Sequence, residues 1–474
     1  MWWIVGILII LFVFVAIICI RAATFKPKPV AEPPQKAPIT PIDQERAIGI
    51  FQKMIRLDTL STNPQARIAF RELLPEAFPV VHQHLTFQLV GEGGLLFHWK
   101  GKSSDSPTVF LAHYDVVPAE ADKWQKEPFS AERLDGEIWG RGTLDTKHTL
   151  LGILESAETL LAEGFEPAND IYFSFGGDEE TTGKDAEAIV KYLKEKGVRP
   201  ALVLDEGGAV VKGVFPGVKK AVAVIGTAEK GVLNVMLSAK SSGGHASAPP
   251  KSSLIATLSK AVLKVEKRPF KGILSPPVRE MFDILGRHSS FGYRLIFANI
   301  WCFGGLFKAL CKAMGGELNA MVRTTVAFTQ MEGSDAINVL PPSALIKANL
   351  RLMMGDTPES AVEYLKKCIN DSSITITTLE GDPASSIADT HSEGYHRVYN
   401  IIRTMWPEAL ISPYLMMART DSRFFCEISD VVLRFSGMEM SSEDRKRVHG
   451  HDERIREEQL FGVLEFYQRL MRLS

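Results

Sequence analysis

Cysteine is scarce in this chain: 474 residues contain five, far apart and with no CxxC pair. That excludes a zinc finger and argues against a disulfide framework. Cys19 falls in an apolar N-terminal stretch, while Cys302, Cys311, Cys368 and Cys426 read as buried thiols rather than reactive ones. Neither charge is in excess. The 54 Lys and Arg against 56 Asp and Glu leave a net charge of −2, with no long basic run, so nucleic acid is not an expected partner. There is no G-x-S-x-G elbow for a serine nucleophile, and Gly140-Arg141-Gly142 lacks the GxGxxG spacing of a nucleotide loop. No internal repeat is visible. What remains is an ordinary globular composition, 45% hydrophobic, long enough for a large core and more than one domain.

The first 20 residues, MWWIVGILIILFVFVAIICI, carry no charge, and about 20 apolar residues suffice to cross a bilayer. A cleaved signal has a shorter apolar stretch and a basic start, so the expectation is an uncleaved anchor, with Ala22 and Ala23 as the alternative cleavage site. Arg21, Lys26 and Lys28 would hold the following side in the cytoplasm, whereas Asn370-Asp371-Ser372 is a glycosylation sequon. The expectation is a single-pass membrane or secreted protein whose globule is lumenal or extracellular. Six prolines between Lys26 and Pro41 describe a semi-extended tether. Residues 1–22 are thus read as anchor or signal and 23–42 as linker.

Beyond Asp43 the pattern alternates strand and helix, as in a sheet covered by helices. The runs Thr108 to Ala112, Ile171 to Phe175 and Ala201 to Leu204 read as short buried strands, and Leu150 to Leu161 as an amphipathic helix with Asp145 or Thr146 as its cap. Five side chains of metal-binding type, His113, Asp145, Glu180, Asp205 and His449, stand just past apolar runs or at a helix start. In an open α/β sheet the crevice beyond the carboxyl ends of the strands binds ligands, so these residues can converge. Two imidazoles and three carboxylates suit a borderline divalent ion such as zinc, with one carboxylate free to bridge two ions.

Each of these residues also has an ordinary reading. A histidine after a strand is commonly structural, but in His113-Tyr114-Asp115 the carboxylate can accept from the second ring nitrogen and fix the tautomer, so His113 reads as ligand and Asp115 as its support. Asp145, in the glycine-framed turn Gly140 to Lys147, could be a helix N-cap; in this company it reads as a bridging carboxylate. Glu179-Glu180 could be a solvated acidic pair. Adjacent residues in an irregular turn point different ways, however, so Glu180 is assigned to metal and Glu179 to proton transfer. Asp205, in Leu204-Asp205-Glu206-Gly207, could equally be a turn residue.

The segments LAHYDVVPAE, WGRGTLDTK, GGDEETTG, LDEGG, GGHASAP, INVLPP, RTDSRFF and VHGHDE, spread over about residues 45 to 470, resemble the dinuclear zinc carboxypeptidase and aminoacylase family. The likeness is strongest to its branch of carboxypeptidase S and the N-fatty-acyl-amino-acid synthase/hydrolases. The resemblance implies an α/β catalytic domain with a mixed sheet flanked by helices, in two parts (43–228 and 383–474), and an inserted smaller α/β lid (229–382) able to form a homodimer. It implies two zinc ions per chain, one held by His113 and Asp205, the other by Glu180 and His449, with Asp145 bridging, Asp115 orienting His113 and Glu179 as general base. The last family motif, His-x-x-Asn/Asp-Glu, selects His449 over His451. His245, in Ser242 to Ser247, would polarise the scissile carbonyl, in some relatives across a dimer interface, and Asn338 and Arg423 would touch substrate.

The implied activity is hydrolysis, or reverse condensation, of an N-acyl amino acid, with a small-molecule N-fatty-acyl amino acid as the expected partner. A peptide carboxypeptidase is the alternative. An inactive scaffold would be expected to have lost ligands, and all five are present. Residues 267 to 325 carry Phe270, Met281, Phe282, Phe291, Tyr293, Phe297, Trp301, Phe303 and Phe307; these read as the core of extra helices or as a groove for an acyl chain.

Overall fold

The apolar runs that read as buried strands lie side by side. A computed structural model describes every residue except Met1, Val30, Ala31, Pro33, Gln35, Ala37, Val214 and Pro216. Its main sheet contains β1 (Thr86–Val90), β2 (Gly94–Trp99), β3 (Ser103–His113), β4 (Asn169–Gly176), β5 (Leu202–Asp205) and β6 (Val222–Glu229). They follow the order β1-β2-β4-β3-β5, continuing through Val432–Arg434 to β6. The centre is parallel: β3 runs with β4 on one side and β5 on the other. The edge pairs β1 with β2 and β2 with β4 are antiparallel. The fully buried central strands explain their near-continuous apolar sequences.

The helix Lys147–Ala162 is buried on 13 of its 16 residues, because the C-terminal helix Glu457–Met471, whose Tyr467 also meets Phe110 of β3, packs along it together with helices Gln44–Ile55 and Pro79–His84. Gly152 permits the approach: a Cβ there would stand 2.6 Å from Val463. The helix begins after Thr146, so Asp145 does not cap it.

The chain leaves β6 at Glu229 and at once enters β7 (Gly231–Lys240), which pairs antiparallel with β9 (Ser343–Leu352) and β10 (Thr375–Asp382), while β8 (Thr325–Glu332) flanks β9. Helices Leu254–Lys267 and Pro358–Ile369 supply Leu258, Ala261, Ala361 and Leu365 to the core over this second sheet. Alternation along β9 buries Ala344, Ile346, Ala348, Leu350 and Leu352, so Asn349 and Arg351 point to the other face. The entering and returning strands touch, since a Cβ on Gly231 would lie 2.5 Å from the Asp382 carbonyl oxygen.

Also inserted between β7 and β8 are α2 (Pro276–Arg287), α3 (Phe291–Phe297), α4 (Ile300–Met314) and α5 (Gly316–Met321); helix α1 (Trp2–Thr24) packs along α3 and meets the start of α4 at Trp301. Of the aromatic residues in this insertion, Phe270 joins the second sheet's core and Phe282 packs with Phe297 and Phe307. Phe291, Tyr293 and Trp301 stay exposed. Of the tether, Thr40 docks on the globule by donating its N–H to Gln468 (2.9 Å). The five cysteines are unpaired, with Cys311 and Cys368 buried, Cys302 and Cys426 partly so, and Cys19 exposed. Asn370 of the sequon is exposed at a helix C-cap with φ 42°.

Candidate functional site

Strand ends bring the acids and imidazoles together. His113 is the last residue of β3, and the Nδ1–H of its 2% exposed ring donates to the backbone oxygen of Asp115 (3.0 Å), with the Asp115 carboxylate at 3.3 Å. The same buried carboxylate accepts from the backbone N–H groups of Glu179 (3.2 Å) and Glu180 (3.0 Å). Asp115 therefore ties the end of β3 to the loop after β4, fixing ring and acidic pair against one another.

Asp145 lies between the two imidazoles, Oδ1 at 3.0 Å from His113 Nε2 and Oδ2 at 2.9 Å from His449 Nε2. Glu180 Oε1 is 3.1 Å from His449 Nε2. His451 is exposed and does not line the cleft. The turn that aims Asp145 is clamped from 300 residues away. The fully buried Glu453 carboxylate accepts from the backbone N–H groups of Leu144 (2.7 Å), Asp145 (3.2 Å) and Gly142 (3.1 Å) and from Arg141 Nη1 (2.7 Å).

Two acids stand at the end of β5. The oxygens of Asp205, the expected ligand beside His113, accept from the N–H groups of Glu206 (2.9 Å) and Ser422 (3.0 Å). Glu206 instead stands at His113 Nε2, with Oε1 at 3.1 Å. Two adjacent acids end the strand, and a strand sends neighbouring side chains to opposite sides; the Ser422 N–H captures the first, leaving the second for the crevice.

The charge state follows from burial. Desolvation pushes Glu179 well above the usual carboxylate range, Asp421 and Glu206 adding to it. It also raises Glu206, to about 7, with Asp145 pressing in the same direction. Asp421 is raised by burial and by the neighbouring Asp205, and neither of its oxygens has a hydrogen-bond partner among the described residues. Burial opposes ionisation of Asp145 too, but the two imidazoles prevail and hold it far below its ordinary value. His449 is lifted to about 11 by hydrogen bonds to Asp145 and Glu180.

So many carboxylates round two imidazoles call for a cation. Donor atoms of His113, Asp145 and Glu180 all lie within 4.8 Å of one another. Nitrogen and carboxylate donors at that spacing fit a divalent metal.

Asp145, Glu179, Glu180, Glu206 and His449 line a cleft of about 730 Å³, within the range of small-molecule sites. Its apolar lining includes Phe215, Leu318, Met321, Tyr414, Met416 and Met440. Among its cations, Arg419 pairs with Glu380 (2.6 Å) and Asp382 (2.9 Å), and Arg445 approaches Glu317 (3.7 Å). Arg351, from β9, has no carboxylate within 4.0 Å among the described residues and is held below its ordinary value, by burial first.

Other expected contacts lie elsewhere. Arg423 does not line the cleft; it donates to the Thr420 oxygen (2.8 Å) and stacks on Phe424 (4.0 Å). His245 and Asn338 are exposed, His245 ending one of a separate pair of short strands of the inserted unit and Asn338 just before the other, where Ala246 N–H donates to the Asn338 oxygen (3.0 Å). Neither lines the cleft of the same chain. Sequence reasoning missed Glu206, Glu453 and Arg351. Glu206 was legible in the acidic pair ending β5, and Glu453 in the VHGHDE segment, but nothing marks Arg351 from other charged residues on a strand.

The family model described as Peptidase family M20/M25/M40 matches residues 109–473. The chain is 35% identical over 415 residues to a probable carboxypeptidase S-like protein of Dictyostelium discoideum, covering 85% of this chain and 79% of that protein. It is 34% identical over 443 residues to an N-fatty-acyl-amino acid synthase/hydrolase of Xenopus tropicalis, covering 91% and 86%. Among solved structures, a metallo-carboxypeptidase of Sulfolobus solfataricus superposes with a TM-score of 0.67 at 16% identity, covering 90% of this chain and 98% of that one.

Proposed function

Since the chain belongs to peptidase family M20/M25/M40, we propose that it is a dinuclear zinc amide hydrolase acting on N-fatty-acyl amino acids, able also to run the reverse condensation. The observation that carries this reading is the cleft itself, whose lining combines an acid and imidazole cluster, a set of apolar side chains and an arginine, Arg351, with no carboxylate partner among the described residues. An N-acyl amino acid presents an amide, an alkyl chain and a carboxylate. The Xenopus relative is named for such substrates.

One zinc would be held by His113 with Glu206, Asp205 standing behind, and the other by His449 with Glu180; Asp145 would lie between them. Bound zinc would acidify a shared water and polarise the amide carbonyl. Glu179, whose buried carboxyl favours holding a proton, takes one from the attacking water and passes it to the leaving amine as the C–O bond forms and the C–N bond breaks. Asp115 keeps His113 and the Glu179 loop in place. Arg351 takes the substrate carboxylate, and Leu318 and Met321 flank the acyl chain. His245 and Asn338, remote from the cleft of their own chain, act in a homodimer formed through the inserted unit, the His245 imidazole supporting the carbonyl of the neighbouring site. Arg423 positions the Thr182 and Thr420 backbone rather than substrate.

The apolar helix Trp2–Thr24 serves as an uncleaved anchor, with the globule and Asn370 on the lumenal or extracellular side. Sensitivity of the full chain to a glycosidase tests that orientation.

The Dictyostelium relative favours a second reading, a peptide carboxypeptidase. The two separate by kcat/KM across N-acyl amino acids of increasing chain length beside dipeptides, with and without chelator. About 0.8 kcal/mol per buried methylene makes four added methylenes worth roughly 200-fold. A flat profile from acetyl upward, or preference for dipeptides, removes the acyl-chain reading and leaves the carboxypeptidase.

A further inference from the structure

Helix α1 is 23 residues long, about 34 Å at the helical rise, against roughly 30 Å of bilayer hydrocarbon. It is not a free pole. Arg21 donates from Nε and Nη2 to the Ala298 oxygen (3.2 and 3.0 Å) and from Nε to Asn299 Oδ1 (3.1 Å), while Asn299 Nδ2 donates to the Ile18 oxygen (3.1 Å). Higher on the helix, Phe14 meets Trp301 edge-on, ring centroids 6.3 Å apart.

Those contacts fix the depth of the insertion relative to α1. Arg21 ends the uncharged run, and Phe14 lies seven residues before it, about 10 Å further in. If α1 spans a bilayer, Trp301 and its neighbours cannot remain in water. Their composition agrees: residues 291–316 contain Arg294, Lys308 and Lys312 but no acid. Leu306, Leu310 and Met314, on one stripe of α4, are 59%, 45% and 68% exposed, and Trp301 is 61% exposed. No described residue covers that stripe, and Trp301 joins it to α1 through Phe14.

The other face of these helices leads inward. Phe297, Ile300 and Phe307 belong to one apolar cluster with Leu318 and Met321 of α5 and with Phe215, Tyr414 and Met440, five of which wall the cleft.

We propose that α3 and α4 are sunk beside α1 in the leaflet next to the globule, so that the cleft receives its acyl chain from the bilayer rather than from water. The occupant of the exposed stripe is lipid, and the basic residues with no acid among them suit phosphate headgroups at its border. The entry part of this proposal rests on the fatty-acyl reading of the cleft; the seating in lipid does not.

Full-length protein is reconstituted into phosphatidylcholine vesicles with and without bromine on the acyl chains, with Trp2→Phe and Trp3→Phe removing the other exposed membrane-helix indoles. Bromolipid should quench part of the remaining fluorescence, and Trp301→Phe should abolish that quenching. Equal quenching with and without Trp301, or a Trp301 signal reached by aqueous iodide, overturns the seating.

Entry is tested with Leu306→Glu/Leu310→Glu in the full chain. Turnover of a long-chain N-acyl amino acid carried in vesicles should fall tenfold or more, while that of a short water-soluble one changes less than twofold; equal effects on both overturn it. If the unsubstituted protein turns over neither substrate, the fatty-acyl reading falls with the entry route, and the quenching result still decides the seating.

Discussion

Replacing Glu453 by glutamine exchanges one acceptor oxygen for an NH2 group while leaving size unchanged. The carboxylate is fully buried and receives four donors, two on each oxygen: Leu144 and Asp145 N–H on Oε1, Gly142 N–H and Arg141 Nη1 on Oε2. Whichever way the amide turns, two donors face a donor. Hydrogen bonds to charged groups contribute about 1.5–3 kcal/mol each. In either orientation Arg141, 2% exposed, also loses its buried counter-charge, a lesion of about 3–5 kcal/mol. We therefore expect Glu453→Gln to cost about 3–5 kcal/mol in denaturant unfolding of the metal-free protein, followed by near-ultraviolet circular dichroism. Because the turn carries Asp145, metal affinity of the folded fraction should also fall 10- to 100-fold. A loss under about 1 kcal/mol with unchanged affinity would refute the clamp.

Three further outcomes follow from the same geometry. Arg351→Met should raise KM for carboxylate-bearing substrates 10- to 100-fold, about 1.5–3 kcal/mol, with little change for the corresponding amides; equal effects on both contradict its role. Glu206→Gln should lower metal content more than Asp205→Asn, and the reverse order, read by elemental analysis, returns the ligand role to Asp205. His449, raised from 6.5 to about 11 in the folded protein, is stabilising as imidazolium below its unfolded value, and that stabilisation is lost as pH rises through the folded one. At neutral pH a metal must displace this proton, so affinity should rise with pH and calorimetry in buffers of different ionisation enthalpy should show proton release; binding without proton release contradicts the assignment.

Much of the site was legible because parallel strands end together. His113 closes β3, Glu179 and Glu180 follow β4, and acids close β5, so three apolar runs each followed by a polar residue describe one crevice edge. His-x-Asp marked its own support. Asp205 and Glu206 were not separable, because which of two adjacent acids turns inward depends on the Ser422 N–H, brought in from 217 positions away. Arg351 looks like any residue on the polar side of a half-buried strand until the inserted sheet is placed over the cleft. Composition could not divide the aromatic insertion either: Phe282, Phe297 and Phe307 are packing, Trp301 is exposed beside α1, and the cleft instead uses Leu318 and Met321.

The central claim is that these residues hold two metal ions and that Glu179 moves the proton. Its most direct test is metal content and turnover measured on one preparation of Glu179→Gln beside the unsubstituted protein. The account predicts two zinc per chain in both, with kcat reduced about 100- to 10,000-fold in the variant. Near-normal turnover with full zinc, or an unsubstituted protein active without metal, would contradict it.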